Sequence, residues 1–177
     1  SFAILRSNLA RWEICQAGRR KVCARPDVID CWNSAMKQPS TQCGYRHFLT
    51  IPTRWMDNDI YGHVNNVVYY SWFDTVINEY LIRAGGLDIH NAPIVGFCVD
   101  SGCTYKQSFA FPEPVHAGLR VTKLGNSSVR YEVALFGDGD EAPRATGFFV
   151  HVFVDRASNK SVPIPANIRS ALQALQP

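Results

Sequence analysis

From Tyr45 onward the chain alternates between apolar and polar positions. Tyr45, His47, Leu49, Ile51, Thr53 and Trp55 fall on one side of a period-2 pattern, blurred by Phe48 and Pro52. Such alternation predicts a half-buried strand, and Pro52, which has no N–H to give a ladder, predicts an edge or a bulge. A polar loop follows, and then the period changes. Val67, Val68, Tyr69, Tyr70, Trp72, Phe73, Val76, Ile77, Tyr80 and Leu81 predict a helix from about Val67 to Ala84, with Asn65 or Asn66 as its N-cap and Gly85-Gly86 as its stop. These apolar positions exceed one stripe, so burial over most of the circumference is expected. At 1.5 Å per residue the helix would be about 27 Å long, enough to cross a small domain.

The remainder reads as strands. Val95, Phe97, Val99, Cys103, Tyr105 and Phe109 share one face of a long strand. Val115, Ala117, Leu119 and Val121 share a face of the next, and Val129, Tyr131, Val133 and Leu135 a face of a third. Gly125-Asn126 and the run Gly137 to Asp140 are turn chemistry. A final strand from about Arg144 to Asp155 is apolar on both sides, which suits a central place, and a short amphipathic helix with Ile168, Ala171 and Leu172 follows Pro163 and Pro165. One strand, one buried helix and four more antiparallel strands make an α+β fold: a five-stranded antiparallel sheet wrapped around one long helix. The edges of such a sheet stay open, and joining two sheets edge to edge is the economical way to close them.

Composition changes near residue 40. Residues 1–40 carry several arginines and three cysteines with no sustained period of 2 or 3.6, so they read as an N-terminal extension, and residues 41–177 as the folded domain. Residues before about Gln38 are expected to add little to the fold. With 46% hydrophobic and 19% charged residues in 177, one globular domain with a sizeable core is expected. The net charge of +3 comes without a basic run, which speaks against nucleic acid, and no window is apolar enough for membrane insertion. Neither a secretory core nor a cleavage site is evident at the start of the chain, and a soluble cytoplasmic protein is the expectation. The cysteines Cys15, Cys23, Cys31, Cys43, Cys98 and Cys103 include no Cys-x-x-Cys pair and read as buried reduced thiols. Cys98 and Cys103, five apart on one strand, are expected on opposite faces.

The chemistry is concentrated between Arg54 and Asn66, where Asp57, Asp59, His63, Asn65 and Asn66 crowd against the start of the helix. A carboxylate facing a helix N-terminus sits beside a positive dipole end, and free backbone N–H groups there can polarise a carbonyl. Asp59 is nearer the helix start, whereas Asp57 equally suits a loop acid that caps backbone amides. His63 fits either a substrate-positioning or a structural hydrogen-bonding role. Asn65 and Asn66 read first as caps and second as site residues. No second histidine or cysteine stands at ligand spacing from Asp57, Asp59 and His63, so no metal is expected. Asp74 and Glu79 on the helix read as polar positions at a subunit contact.

The signature Arg54-Trp55-x-Asp57-x-Asp59-x-x-Gly62-His63-Val64-Asn65-Asn66-x-x-Tyr69, with Phe111-Pro112 and the stretch Lys123 to Val129, resembles the hot-dog-fold thioesterases of the 4-hydroxybenzoyl-CoA thioesterase type over about Gly44 to Leu172. The resemblance implies that Asp59 is the catalytic carboxylate, as general base for water or as nucleophile. It further implies that N–H groups near Asn65 and Asn66 stabilise the oxyanion. The implied reaction is acyl-CoA hydrolysis without a cofactor, by a homodimer or a pair of dimers. Lys106, Arg120, Lys123 and Arg130 are then candidate partners for the CoA phosphates, and Tyr69, Phe73 and Phe97 candidate linings of an acyl slot beside the helix. Acyl-carrier-protein thioesters and a non-catalytic acyl-binding role are the alternatives. The signature of hot-dog dehydratases is missing.

Overall fold

The computed structural model describes residues 44–177; the expected N-terminal extension of residues 1–40, with Cys15, Cys23 and Cys31, and also Cys43, lie outside the described residues. The first strand, β1, is His47–Ile51, shorter than the alternation suggests. Pro52 stands just after it, and Trp55–Asp57 form a single 3₁₀ turn that takes Trp55 out of the sheet and leaves it 81% exposed. Helix α1 is Asn66–Arg83, and Asn65 is its N-cap, the side-chain Oδ1 accepting the Val67 N–H at 3.1 Å. Gly86, at φ 64, turns the chain out of the helix in a conformation that costs other residues more.

Strands β2 (Ile94–Tyr105), β3 (Val115–Leu124), β4 (Ser128–Phe136) and β5 (Ala145–Asp155) complete a five-stranded antiparallel sheet of order β1-β3-β4-β5-β2. The two-sided apolar β5 is interior, flanked by β4 and β2, although the middle strand is β4. A final helix, α2 (Ala166–Ala174), places Ile168, Ala171 and Leu172 in the core. It is tied to α1 where the Tyr80 hydroxyl donates to the Ala171 carbonyl at 2.9 Å.

The core lies between α1 and one face of the sheet. Val115, Ala117, Leu119 and Val121 of β3, and Val129, Tyr131, Val133 and Leu135 of β4, are buried there as the alternation requires. Helix α1 contributes Tyr69, Trp72, Phe73, Val76, Ile77 and Leu81, which fall at helical spacing on one side. The expectation of burial over most of the circumference is corrected: Val67 is 66% exposed and Ile82 is exposed too, because the sheet covers one side of the helix.

A second correction concerns β2. Cys98 pairs with His151 and Asp100 with Val150, so Val99 is a bulge residue with no partner on β5. An extra residue reverses the alternation. Val95 and Phe97 therefore stand on the outer face of the sheet, opposite Cys103 and Tyr105, rather than sharing a face with them. Cys98 and Cys103 fall on the same, helix-facing side, against expectation, but their partners His151 and Gly147 lie four residues apart on β5 and both thiols are free. Cys98 is exposed and Cys103 half-buried, so neither is the buried thiol expected. A small second cluster of Tyr45, Phe48, Ala134 and Phe136 covers part of the outer face.

Candidate active site

The polar loop before α1 is a closed hairpin. Asn58 and Val64 form an antiparallel bridge, the Asp59 N–H donates to the His63 carbonyl at 2.8 Å, and the Gly62 N–H donates to the Asp59 carbonyl at 3.1 Å. Gly62, at φ 82, makes the tip possible. Asp59 is half-buried just inside that tip. Its Oδ1 accepts the Tyr61 N–H at 2.8 Å, an Asx turn, and its Oδ2 has no partner among the described residues. A carboxylate fixed through one oxygen and free at the other is ready to take a proton or attack a carbon.

Asp57 does different work. It is 1% exposed, its Oδ2 accepts the Arg54 N–H at 2.7 Å, and its Oδ1 takes both the Arg54 Nε at 3.0 Å and Nη2 at 2.8 Å. Every polar atom of this carboxylate is spoken for within the loop, which matches the capping role. His63 is exposed. Asn65 is held as the helix cap. The Asn66 carbonyl accepts the Tyr105 hydroxyl at 3.2 Å, while the Asn66 backbone N–H, at the positive end of α1, has no partner among the described residues. Burial, and then the neighbouring Cys103 thiol, push the Tyr105 phenol above its ordinary range, so it stays a neutral donor. Burial likewise raises the Cys103 thiol and the Tyr69 phenol.

Two hollows flank this hairpin. One, of about 670 Å³, is lined by Trp55, Asn58, Asp59, Ile60, Tyr61, Gly62 and Asn65. The other, of about 270 Å³, is lined by Val64, Asn66, Tyr69, Tyr105, Lys106, Gln107 and Ser108. Asp59, Asn65, Asn66, Tyr69 and Lys106 are thus brought to one region. His63 stands on the same hairpin with its side chain exposed, and the remaining expected residues lie elsewhere. Phe73 is fully buried between helix and sheet. Phe97 is on the outer face because of the bulge. Arg120 pairs with Glu132 at 2.6 Å and lies over the Tyr45 ring at 4.9 Å, also on the outer face. Arg130 stacks on Phe148 at 3.7 Å and stands 4.0 Å from Asp100 on that face, and Lys123 is an exposed residue of β3 just past its bulge. The pairs Arg120–Glu132 and Arg130–Phe148 follow from strand register, which pattern reading could not supply. Asp74 accepts the Asn78 amide at 2.9 Å and Glu79 pairs with His47 at 3.0 Å and Arg83 at 2.8 Å. No group of three His, Cys, Asp or Glu among the described residues could hold a metal ion, and no helix among them is long and apolar enough to cross a membrane.

A helix half-wrapped by a five-stranded antiparallel sheet, with an Asp loop at the helix N-terminus, defines the hot-dog thioesterase class. Residues 53–172 match the family model described as the thioesterase-like superfamily, and the chain belongs to that family of thioester hydrolases. Among solved structures, the PA5185 protein from Pseudomonas aeruginosa strain PAO1 is 55% identical at a TM-score of 0.75, covering 78% of this chain and 96% of that one. The PA2801 protein of the same organism is 32% identical at 0.68, covering 72% and 98%. A Thermus thermophilus thioesterase complexed with coenzyme A and Zn is 26% identical at 0.63, covering 75% and 95%. No curated protein matches the chain.

Proposed function

We propose that this enzyme hydrolyses an acyl-CoA thioester, with Asp59 as the reacting carboxylate. The observation that carries the reading is the division of labour between the two acids: Asp57 is consumed by Arg54 and the loop, whereas Asp59 keeps one oxygen without a partner among the described residues, on the hairpin that leads into the helix whose first N–H, that of Asn66, is also without one. With the thioester carbonyl oxygen on that N–H, the developing negative charge meets a fixed dipole that needs no reorganisation. Asp59 then either takes the proton of an attacking water or itself attacks the carbon, and the thiol leaves in both cases. The Thermus relative was solved with coenzyme A and Zn, and Lys106, which lines the smaller hollow with Asn66 and Tyr69, would meet an anionic arm in this reading.

The active assembly is a homodimer in this reading. Strand β2 is twelve residues long and, among the described residues, pairs only with β5, and so long an open edge invites pairing with a second copy. In this reading residues 1–40 are an N-terminal extension that adds little to the fold, and residues 41–177 make up the thioesterase domain. The test is thiol release from short, medium, long and aromatic acyl-CoAs by wild type and Asp59→Asn. A loss of about 10²- to 10⁴-fold in kcat is expected in the variant. Equal rates would sink the role of Asp59, and silence of folded wild type across the panel would sink the CoA substrate in favour of acyl carrier protein or binding alone.

A further inference from the structure

The hairpin that carries Asp59 is fastened at both feet to one short segment. The Val64 N–H donates to the Phe109 carbonyl at 2.8 Å, and the Phe111 N–H donates to the Asn58 Oδ1 at 3.0 Å. The strap itself is immobilised from below. Phe109 is fully buried against Tyr69 and Trp72, and its N–H donates to the Tyr69 hydroxyl at 3.4 Å. Glu113 takes the Ala110 N–H on Oε1 at 2.7 Å, and its Oε2 pairs with Arg144 at 2.9 Å. Arg144 also donates to the Ser108 carbonyl at 3.3 Å, pairs with Asp140 at 2.7 Å and lies over the Phe109 ring at 4.9 Å.

One of these contacts is made by a side chain of the hairpin itself. Asn58 is half-buried, next in sequence to Asp59, and its amide oxygen meets the strap while its Nδ2 reaches the Gly62 carbonyl at 3.5 Å, across the hairpin. We infer that Asn58 is a positioning residue for the reaction: it fixes the distance of the Asp59 carboxylate from the helix N-terminus by tying the hairpin to the Ser108–Glu113 strap. This deepens the proposed function and rests on Asp59 being the reacting acid. A residue that only staples the loop would change stability. A residue that sets the position of a reacting atom changes kcat, since a misplacement of about 1 Å can cost about 10²-fold.

The experiment measures kcat, KM and thermal midpoint for Asn58→Ala, Asn58→Asp, Asp59→Asn and the double variant Asn58→Ala/Asp59→Asn on the best acyl-CoA. Asn58→Ala should lose about 10- to 100-fold in kcat with KM within about threefold, and should add no further loss in the Asp59→Asn background. Asn58→Asp keeps an acceptor for the Phe111 N–H, so kcat should recover at high pH, with the acidic limb of its pH profile moved upward by the added negative charge beside Asp59. An inactive Asp59→Asn with an unimpaired Asn58→Ala overturns this inference and leaves the proposed function standing. An active Asp59→Asn overturns both. Should Asn58→Ala not fold, Asn58→Asp decides: low kcat at every pH counts against the inference.

Discussion

Tyr131 and His151 meet edge to face in the core, their ring centroids 5.1 Å apart, and the Tyr131 hydroxyl and His151 Nδ1 both lack a hydrogen-bond partner among the described residues. Each is on the helix-facing side of the sheet, on neighbouring strands β4 and β5. Gly96 of β2 stands opposite the Nδ1 edge, where an added Cβ would come within 3.2 Å of the nitrogen.

Burial lowers the His151 pKa from its ordinary value of about 6.5, and the nearby Asp74 carboxylate opposes the shift without reversing it. The folded state therefore binds the proton less well than the unfolded state. Above about pH 6.5 neither form is protonated and His151 costs nothing. As pH falls below that, the unfolded chain takes up a proton and the native state does not, so stability declines until the folded pKa is reached. Urea unfolding from pH 7.5 to 5 should show this decline in wild type and a smaller one in His151→Leu. Asp74→Asn should steepen it by removing the opposing charge.

Asp57 and Asp59 should separate cleanly into stability and activity. Asp57→Ala removes the acceptor of the Arg54 N–H and an ion pair at 2.8 Å, so it should cost about 2 kcal/mol. Asp59→Ala removes one Asx turn at a half-buried tip and should cost less than about 1 kcal/mol. Chemical denaturation of the two variants checks the order, and the reverse order would mean that Asp59 is the structural acid.

Arg144 holds Glu113, Asp140 and the Ser108 carbonyl with its side chain only 14% exposed, and its pairing with the two acids keeps it above the ordinary guanidinium value despite burial. Arg144→Met should destabilise by about 3 kcal/mol because two carboxylates lose their partner. Arg144→Lys should recover only part, since an ammonium cannot span both acids and cover Phe109 together. Thermal unfolding of the three proteins measures the series.

A Cβ added to Gly147 on β5 would collide with the Phe73 ring and come within 2.9 Å of the Gly102 carbonyl oxygen. Gly147→Ala should cost about 2 to 3 kcal/mol through overpacking. Combining it with Phe73→Leu should cost less than the sum of the two single changes, which a double-mutant cycle reads directly.

The register of β2 shows where pattern reading stops. Alternation alone put Val95, Phe97, Cys103 and Tyr105 on one face; a single unpaired residue, Val99, divided them, and neither hydrophobicity nor turn chemistry marks a bulge in that run. The helix fared differently. Its cap, its length and its glycine stop were legible because they depend on neighbours in sequence: Asn65 caps Val67, and Gly86 takes up the left-handed turn. The position of Asp59 before that helix was legible for the same reason.

Local periodicity, capping chemistry and a ten-odd-residue motif determined the elements, the α+β class and the loop that carries the acids, because each is set by side chains within a few positions of one another. Tertiary structure decided the rest. It placed Arg120 and Arg130 on the outer face through pairing with β4 and β5 neighbours, gave Asp57 to Arg54 and left one oxygen of Asp59 without a partner among the described residues, and brought Phe111 to Asn58 across 53 positions of chain. Those outcomes depend on strand register and on which buried polar groups find partners, and both are properties of the folded whole that no window of sequence contains.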